Sequence, residues 1–150
     1  MNNSITIRKY DPSDKNTVFG LLRANTPSYF AKEEEKELIN YLENEIELYY
    51  VLLSEDKIIG SGGINFSEDK KTGIISWDIL HPEYQGKSFG SQLLTYRIEK
   101  LKSIESIEHI IVRTSQLTYK FYEKQGFEIL EIIKDYWAED FDLYSMKYSY

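Results

Sequence analysis

The sequence contains no cysteine, so disulfides, thiolate metal sites and a cysteine nucleophile are excluded. With only two histidines, His81 and His109, a structural zinc site has too few ligands, and no metal is expected. No uninterrupted apolar run approaches the roughly 18 residues of a membrane-spanning helix, and Met1-Asn2-Asn3-Ser4 lacks the basic region and apolar stretch of a leader. The expectation is a cytoplasmic protein without a membrane partner. Basic residues are also in deficit: 18 Lys and Arg against 25 Asp and Glu leave a formal net charge of −7, with no basic cluster. That argues against nucleic acid as a partner, because affinity for a phosphate backbone comes from grouped Lys and Arg.

What is present fits one domain over residues 1–150. A chain of 150 residues with 41% hydrophobic and 15% aromatic content can bury a single core without staples. The acidic charge is unevenly spread, since Glu33, Glu34, Glu35, Glu37, Glu43, Glu45 and Glu47 crowd one segment relieved only by Lys32 and Lys36. The plain reading is a solvated helix face; the sharper one is an acidic rim that attracts a cationic substrate.

Alternation over Ile5–Lys9 predicts a first strand closed by Asp11-Pro12, followed by a helix over about 14–24 capped by Ser13 or Asp14, with Val18, Leu21 and Leu22 as its apolar stripe. Asn25-Thr26-Pro27-Ser28 breaks it. A second helix is expected over 31–44, then a hairpin of strands 46–53 and 58–66, whose Gly60, Gly62 and Gly63 signal a bulge or the close approach of another group. Residues 73–80 read as a strand, 89–104 as a helix with one buried face, 108–114 as a buried strand, and 117–124 as a short helix ended by Gly126. Strands over 127–133 and 141–148 follow, joined by a loop carrying Tyr136 and Trp137. The strand, helix, strand unit from 73 to 114 predicts two parallel neighbours with a right-handed crossover. The fold class is therefore α/β of the α+β type, with a mixed, mostly antiparallel sheet, one parallel pair and flanking helices.

The most informative stretch is His81-Pro82-Glu83-Tyr84-Gln85-Gly86-Lys87-Ser88-Phe89-Gly90-Ser91, a glycine-punctuated turn from strand to helix. Unpaired N–H groups and the positive dipole end at a helix start suit phosphate oxygens. Gly86-Lys87-Ser88 invites a nucleotide-triphosphate reading, but that loop requires a glycine five residues before its Gly-Lys pair, where this chain has His81, followed by a φ-restricted Pro82. A dinucleotide fingerprint fails on the spacing of Gly86 and Gly90.

A different pattern fits. The run from Trp77 to Leu94 resembles the acetyl-coenzyme A loop of the GNAT N-acetyltransferase superfamily, mapping the signature to Gln85, Ser88 and Gly90, with serine in place of the first glycine. That serine is accommodated if its φ is negative. Residues 115–127, from Ser115-Gln116-Leu117-Thr118 through Phe121-Tyr122-Glu123-Lys124 to Gly126-Phe127, are similar to the family's second signature, with Ser115 where asparagine is usual and Thr118 where alanine is usual.

The resemblance implies that the parallel strands splay and admit the pantetheine arm of acetyl-coenzyme A, the cosubstrate. It assigns strand backbone at Ile79 and Leu80 to the pantetheine and thioester, and the amides of Gly86, Lys87, Ser88, Phe89, Gly90 and Ser91 to the pyrophosphate. Gln85 begins that signature, Lys87 adds a charge contact or faces solvent, and Ser115 bonds the pantetheine or nearby backbone. It also implies direct acetyl transfer to a primary amine with Tyr122 as general acid, because a tyrosine with an ordinary pKa of about 10 is still protonated at neutral pH. The general base is left open between Asp78, another carboxylate and a water chain; Asp78 is the obvious carboxylate on the central strand, against a structural pairing with Arg113 on the neighbouring one. His81 reads as a turn residue and His109 as the opening of a strand. Tyr29, Phe30, Tyr136 and Trp137 lie where the family borders its acceptor pocket, or else they are packing. The expected partner is a small-molecule or peptide amine (a polyamine or aminoglycoside-like cation, a peptide N-terminus or a lysine), with a homodimer possible. The alternative function is a non-catalytic acyl-coenzyme A binding or sensing module.

Overall fold

The computed structural model describes residues 5–149, so the Met1–Ser4 stretch read above for a leader lies outside the described residues. Seven strands form one sheet in the order β1-β2-β3-β4-β5-β7-β6. They are β1 (Ile5–Lys9), β2 (Leu48–Ser54), β3 (Lys57–Phe66), β4 (Thr72–Leu80), β5 (His109–Thr114), β6 (Phe127–Ala138) and β7 (Phe141–Tyr148). Every neighbouring pair is antiparallel except β4 and β5, as the crossover requires. The helices are α1 (Lys15–Ala24), α2 (Glu34–Asn40), α3 (Phe89–Lys102) and α4 (Tyr119–Lys124). Among the described residues, no helix is long and apolar enough to cross a membrane.

Both sheet faces are covered because two amphipathic sets need burial. Leu93, Leu94, Ile98 and Leu101 of α3 pack with Ile75, Ile110 and Val112 on one face. Val18, Leu21, Leu22 and Leu38 of α1 and α2 pack with Tyr49, Val51 and Ile79 on the other. The helix expected over 31–44 is shorter, α2 giving way to a π-type turn over Tyr41–Glu45. Three residues of the acidic run form surface ion pairs, Glu35 with Arg23, Glu43 with Lys15 and Glu47 with Lys70, each worth little in water. The cap before α1 also differs: Asp11 caps a short 3-10 turn, while the Asp14 carboxylate accepts from Arg8 and from the Asp11 N–H.

Tyr136 and Trp137 lie within a strand rather than a loop, because β6 continues to Ala138. An irregularity between Ile133 and Ala138 lets it do so, held by an Asp135 N–H bond to Asp142 and an Asp140 N–H bond to Asp135, each 2.9 Å.

The decisive irregularity is in β4. Ser61 opposes Ile79 and Gly63 opposes Ser76, so β4 has one residue more than β3 across this interval, and Trp77 takes a left-handed φ of 48°. The bulge reverses the alternation: Ile75 joins the α3-side core and Ile79, four residues on, joins the opposite one. Asp78 and Leu80 share the α3 face, but Ser76, which an unbroken alternation would place with them, lies beside Tyr41 on the other. The freed Trp77 carbonyl accepts from the buried Tyr49 hydroxyl at 3.0 Å.

The glycines of β3 leave room for this. A Cβ on Gly62 would sit 2.5 Å from Asp78 Oδ1 and 2.7 Å from Arg97 Nη1. Gly62→Ala is expected to cost about 1–3 kcal/mol of stability in denaturant unfolding; an unchanged midpoint would show that the carboxylate and guanidinium yield freely.

Candidate active site

Pairing between β4 and β5 stops at Ile75 and Val112, although the strands run on to Leu80 and Thr114. The two strands part there, and the gap opens a cavity of about 460 Å³ bordered from both faces of the sheet. The His81 N–H bonds back to Ile59 O at 2.8 Å, so alternation turns the N–H and C=O of Leu80 away from β3, toward the gap. The Leu80 carbonyl is taken by the buried Asn25 side chain, whose Nδ2 lies 3.0 Å away. Asn25 also accepts from Gln85 Nε2 at 3.3 Å, so it ties the end of α1 to the start of the phosphate-type loop. Sequence reasoning took Asn25 only as a helix breaker.

Of the expected cofactor residues, Ile79, Leu80, Gln85, Gly86, Ser88, Gly90, Ser91 and Ser115 border the cavity. Lys87 and Phe89 do not: the Lys87 ammonium is exposed, 6.0 Å from the Tyr84 ring, and Phe89 is buried in the core. Ser88 has φ 62°, so the condition for accommodating serine is not met; it stands at the start of α3 in the left-handed region and makes no side-chain cap, its hydroxyl donating instead to Lys87 O at 2.7 Å. Ser115 Oγ accepts from the Leu117 N–H at 3.2 Å, holding the turn before α4. His81 Nδ1 accepts from the Glu83 N–H at 3.2 Å, a turn role, and His109 opens β5.

Asp78 pairs with Arg97 of α3, not with Arg113. One carboxylate oxygen accepts from the Arg97 guanidinium and the other from the Tyr122 hydroxyl. The Arg97 side chain is fully buried and also donates to Gly63 O at 3.0 Å and Leu93 O at 3.3 Å. Its burial on an otherwise apolar helix face gave no signal in the sequence. Burial, and then the Asp78 carboxylate, push the Tyr122 hydroxyl well above its ordinary pKa, so it is neutral throughout the physiological range.

On the opposite face, Tyr29, Phe30 and Trp137 border the cavity, with Phe30 stacked on Trp77 at 6.2 Å between ring centres. Tyr136 stands outside and is largely exposed, its hydroxyl accepting from Arg113 at 2.6 Å. Glu34 differs from the rest of the acidic run: it is 5% exposed, borders the cavity, and accepts the Ala31 N–H through Oε2 at 2.8 Å. Burial, with Glu37 and Glu33 nearby, outweighs that hydrogen bond and pushes its carboxyl up to about 7. Among the described residues, no group of His, Asp and Glu is arranged to hold a metal ion.

The acetyltransferase (GNAT) family model matches residues 16–127, spanning both signatures and the parted strands. The chain belongs to the GNAT acetyltransferase family. It is 28% identical over 132 residues to an amino-acid acetyltransferase of Pasteurella multocida, an alignment covering 88% of this chain and 29% of that one; the chain thus spans less than a third of this relative's length. In fold it is similar to the ribosomal-protein-S18-alanine N-acetyltransferase of Escherichia coli, at 17% identity, covering 97% and 93% of the two chains with a TM-score of 0.79. It is also similar to an aminoglycoside 6'-N-acetyltransferase complexed with coenzyme A, at 16% identity, covering 95% of each chain with a TM-score of 0.76. In this GNAT chain the mixed sheet and parallel pair stand as the sequence led one to expect.

Two outcomes follow from the geometry. Ser88→Gly removes a left-handed side-chain penalty that exceeds the entropy glycine adds to the unfolded chain, so stability is expected to rise by up to about 1 kcal/mol, read as a higher melting temperature; a fall would contradict the strain. Glu34 has its folded pKa raised, so its contribution to stability is intact below pH 4.5 and lost as pH rises through about 7. Glu34→Gln is therefore expected to stabilise the protein at pH 8 and not at pH 4, as read by thermal melts across that range.

Proposed function

We propose that this chain transfers the acetyl group of acetyl-coenzyme A to a primary amine by direct attack, without an acyl-enzyme intermediate and in the cytoplasm. The observation that carries this reading is the gap between β4 and β5, which is flanked by a loop feeding a 14-residue helix on one side and an aromatic wall on the other. The amides from Gly86 to Ser91, at the positive end of α3, hold the pyrophosphate, and the pantetheine arm runs between the strands past Ile79 and Leu80. The comparison structure with coenzyme A supports the cofactor assignment at the level of the shared fold.

The reaction needs a neutral amine, an N–H donor for the developing oxyanion and a proton for the leaving thiolate. The Leu80 N–H, left free of β3, is the oxyanion donor. Tyr122 supplies the thiolate proton. Its raised pKa keeps that proton in place and makes it a weak acid, so donation follows the thiolate charge as it develops. Asp78 acts as a positioning residue here: it accepts from the Tyr122 hydroxyl and is held by Arg97, which leaves it poorly placed to take the ammonium proton.

Tyr122→Phe is expected to lower kcat by about 10²–10⁴-fold while coenzyme A still raises the melting temperature. An unchanged kcat would remove Tyr122 from the acid role. Tight coenzyme A binding with no thiol release on any amine would instead favour the sensing module.

A further inference from the structure

Two carboxyl side chains, Glu34 and Asp78, and one guanidinium, Arg113, border the cavity. Asp78 is committed to Arg97 and Tyr122. The other two have no partner of opposite charge within ion-pair distance among the described residues. Glu34 is buried with only one oxygen occupied, by the Ala31 N–H. Arg113 stands at the exposed edge of the cavity without a carboxylate: it donates to Tyr136, and its guanidinium carbon lies 5.0 Å from the Tyr136 ring centre and 5.7 Å from that of Trp137. Trp137 is itself anchored, its Nε1 donating to Thr114 O at 3.1 Å.

Both charges lie on the same side of the sheet. Val112 packs into the α3-side core, so Arg113, the next residue, projects from the opposite face. That face carries Trp77 and the α2 residue Leu38, and Glu34 opens α2. The loop at 85–91 feeds α3 on the other face, so neither charge stands with the phosphates.

Building on the acetyl-transfer reading above, we propose that the acceptor is a small amine that also bears a carboxylate, an amino-acid-like zwitterion with its ammonium at Glu34 and its carboxylate on the Arg113 fork. A guanidinium presents paired N–H donors that match a carboxylate, and it repels a polyamine or aminoglycoside cation. The stacked Phe30 and Trp77, which border the same cavity, accept an apolar side chain. In the reaction the ammonium first gives a proton to the Glu34 carboxylate, and the free amine forms its N–C bond to the thioester carbonyl. The tetrahedral adduct loses its second N–H proton as the C–S bond breaks, the thiolate takes the Tyr122 proton, and the phenolate recovers that second proton. Glu34 returns the first to solvent, leaving the amide, coenzyme A thiol and one proton.

The test follows thiol release from acetyl-coenzyme A with a thiol reagent, to which a protein without cysteine adds no background. Acceptors are L-amino acids, their amides, the corresponding decarboxylated amines and spermidine. The free acids are expected to exceed the amides and decarboxylated amines in kcat/KM by at least about tenfold. In Arg113→Gln that ratio is expected to fall to about one, mainly through KM, with coenzyme A still raising the melting temperature. Decarboxylated amines or spermidine used as well as the acids, or a preference that survives Arg113→Gln, would overturn this proposal alone. Coenzyme A binding with no release on any acceptor would overturn the transfer reading and this proposal together.

Discussion

A guanidinium taken wholly out of water must find partners for its donors, and in this protein that demand falls on Arg97. Left unpaired it would be costly to bury, so the surrounding backbone and side chains are arranged to meet it. Gly63 and Leu93 supply carbonyls, Asp78 supplies the countercharge, and Gly62 supplies room by having no side chain. The helix that feeds from the phosphate-type loop is thereby locked to the two strands beside the gap. Because Asp78 also receives the Tyr122 hydroxyl, one buried charge holds α3, β3, β4 and α4 in a fixed relation.

The bulge in β4 makes that arrangement compatible with an apolar core. A regular strand would send Ile75 and Ile79 to the same face; with one extra residue each finds a core of its own, and Trp77 turns toward the aromatic wall while Asp78 turns toward Arg97. The cost is a left-handed tryptophan, and the Tyr49 hydroxyl satisfies the carbonyl it frees. Downstream of the bulge, β4 has β3 on one side and no strand on the other, which is the condition for backbone to meet a ligand.

Patterning made the sheet, the crossover and the loop at 85–91 legible, because apolar spacing and turn chemistry are local properties of the chain. The apolar stripe of α3 was visible; the arginine within it was not recognisable as buried, because its partners come from residues 63 and 78, and tertiary contact alone brings them together. Glu34 was hidden for the same reason. Its neighbours in the acidic run are exposed or paired at the surface, and only the packing of α2 against the sheet separates it from them. Alternation paired Asp78 with Arg113 across the sheet, but β4 and β5 part before reaching them, which leaves each free for a different task.

The cavity passes through the sheet, with Leu93 and Tyr122 bordering it from one face and Trp77 and Glu34 from the other. A cleft of that kind has two doorways. On the acetyl-transfer reading proposed above, the nucleotide-bearing cosubstrate and the acceptor would arrive from opposite sides and meet in the middle, so that neither would bar the other's approach. Traffic of that sort would suit a ternary complex, and what opens the way for it is the omission of a few rungs of one ladder.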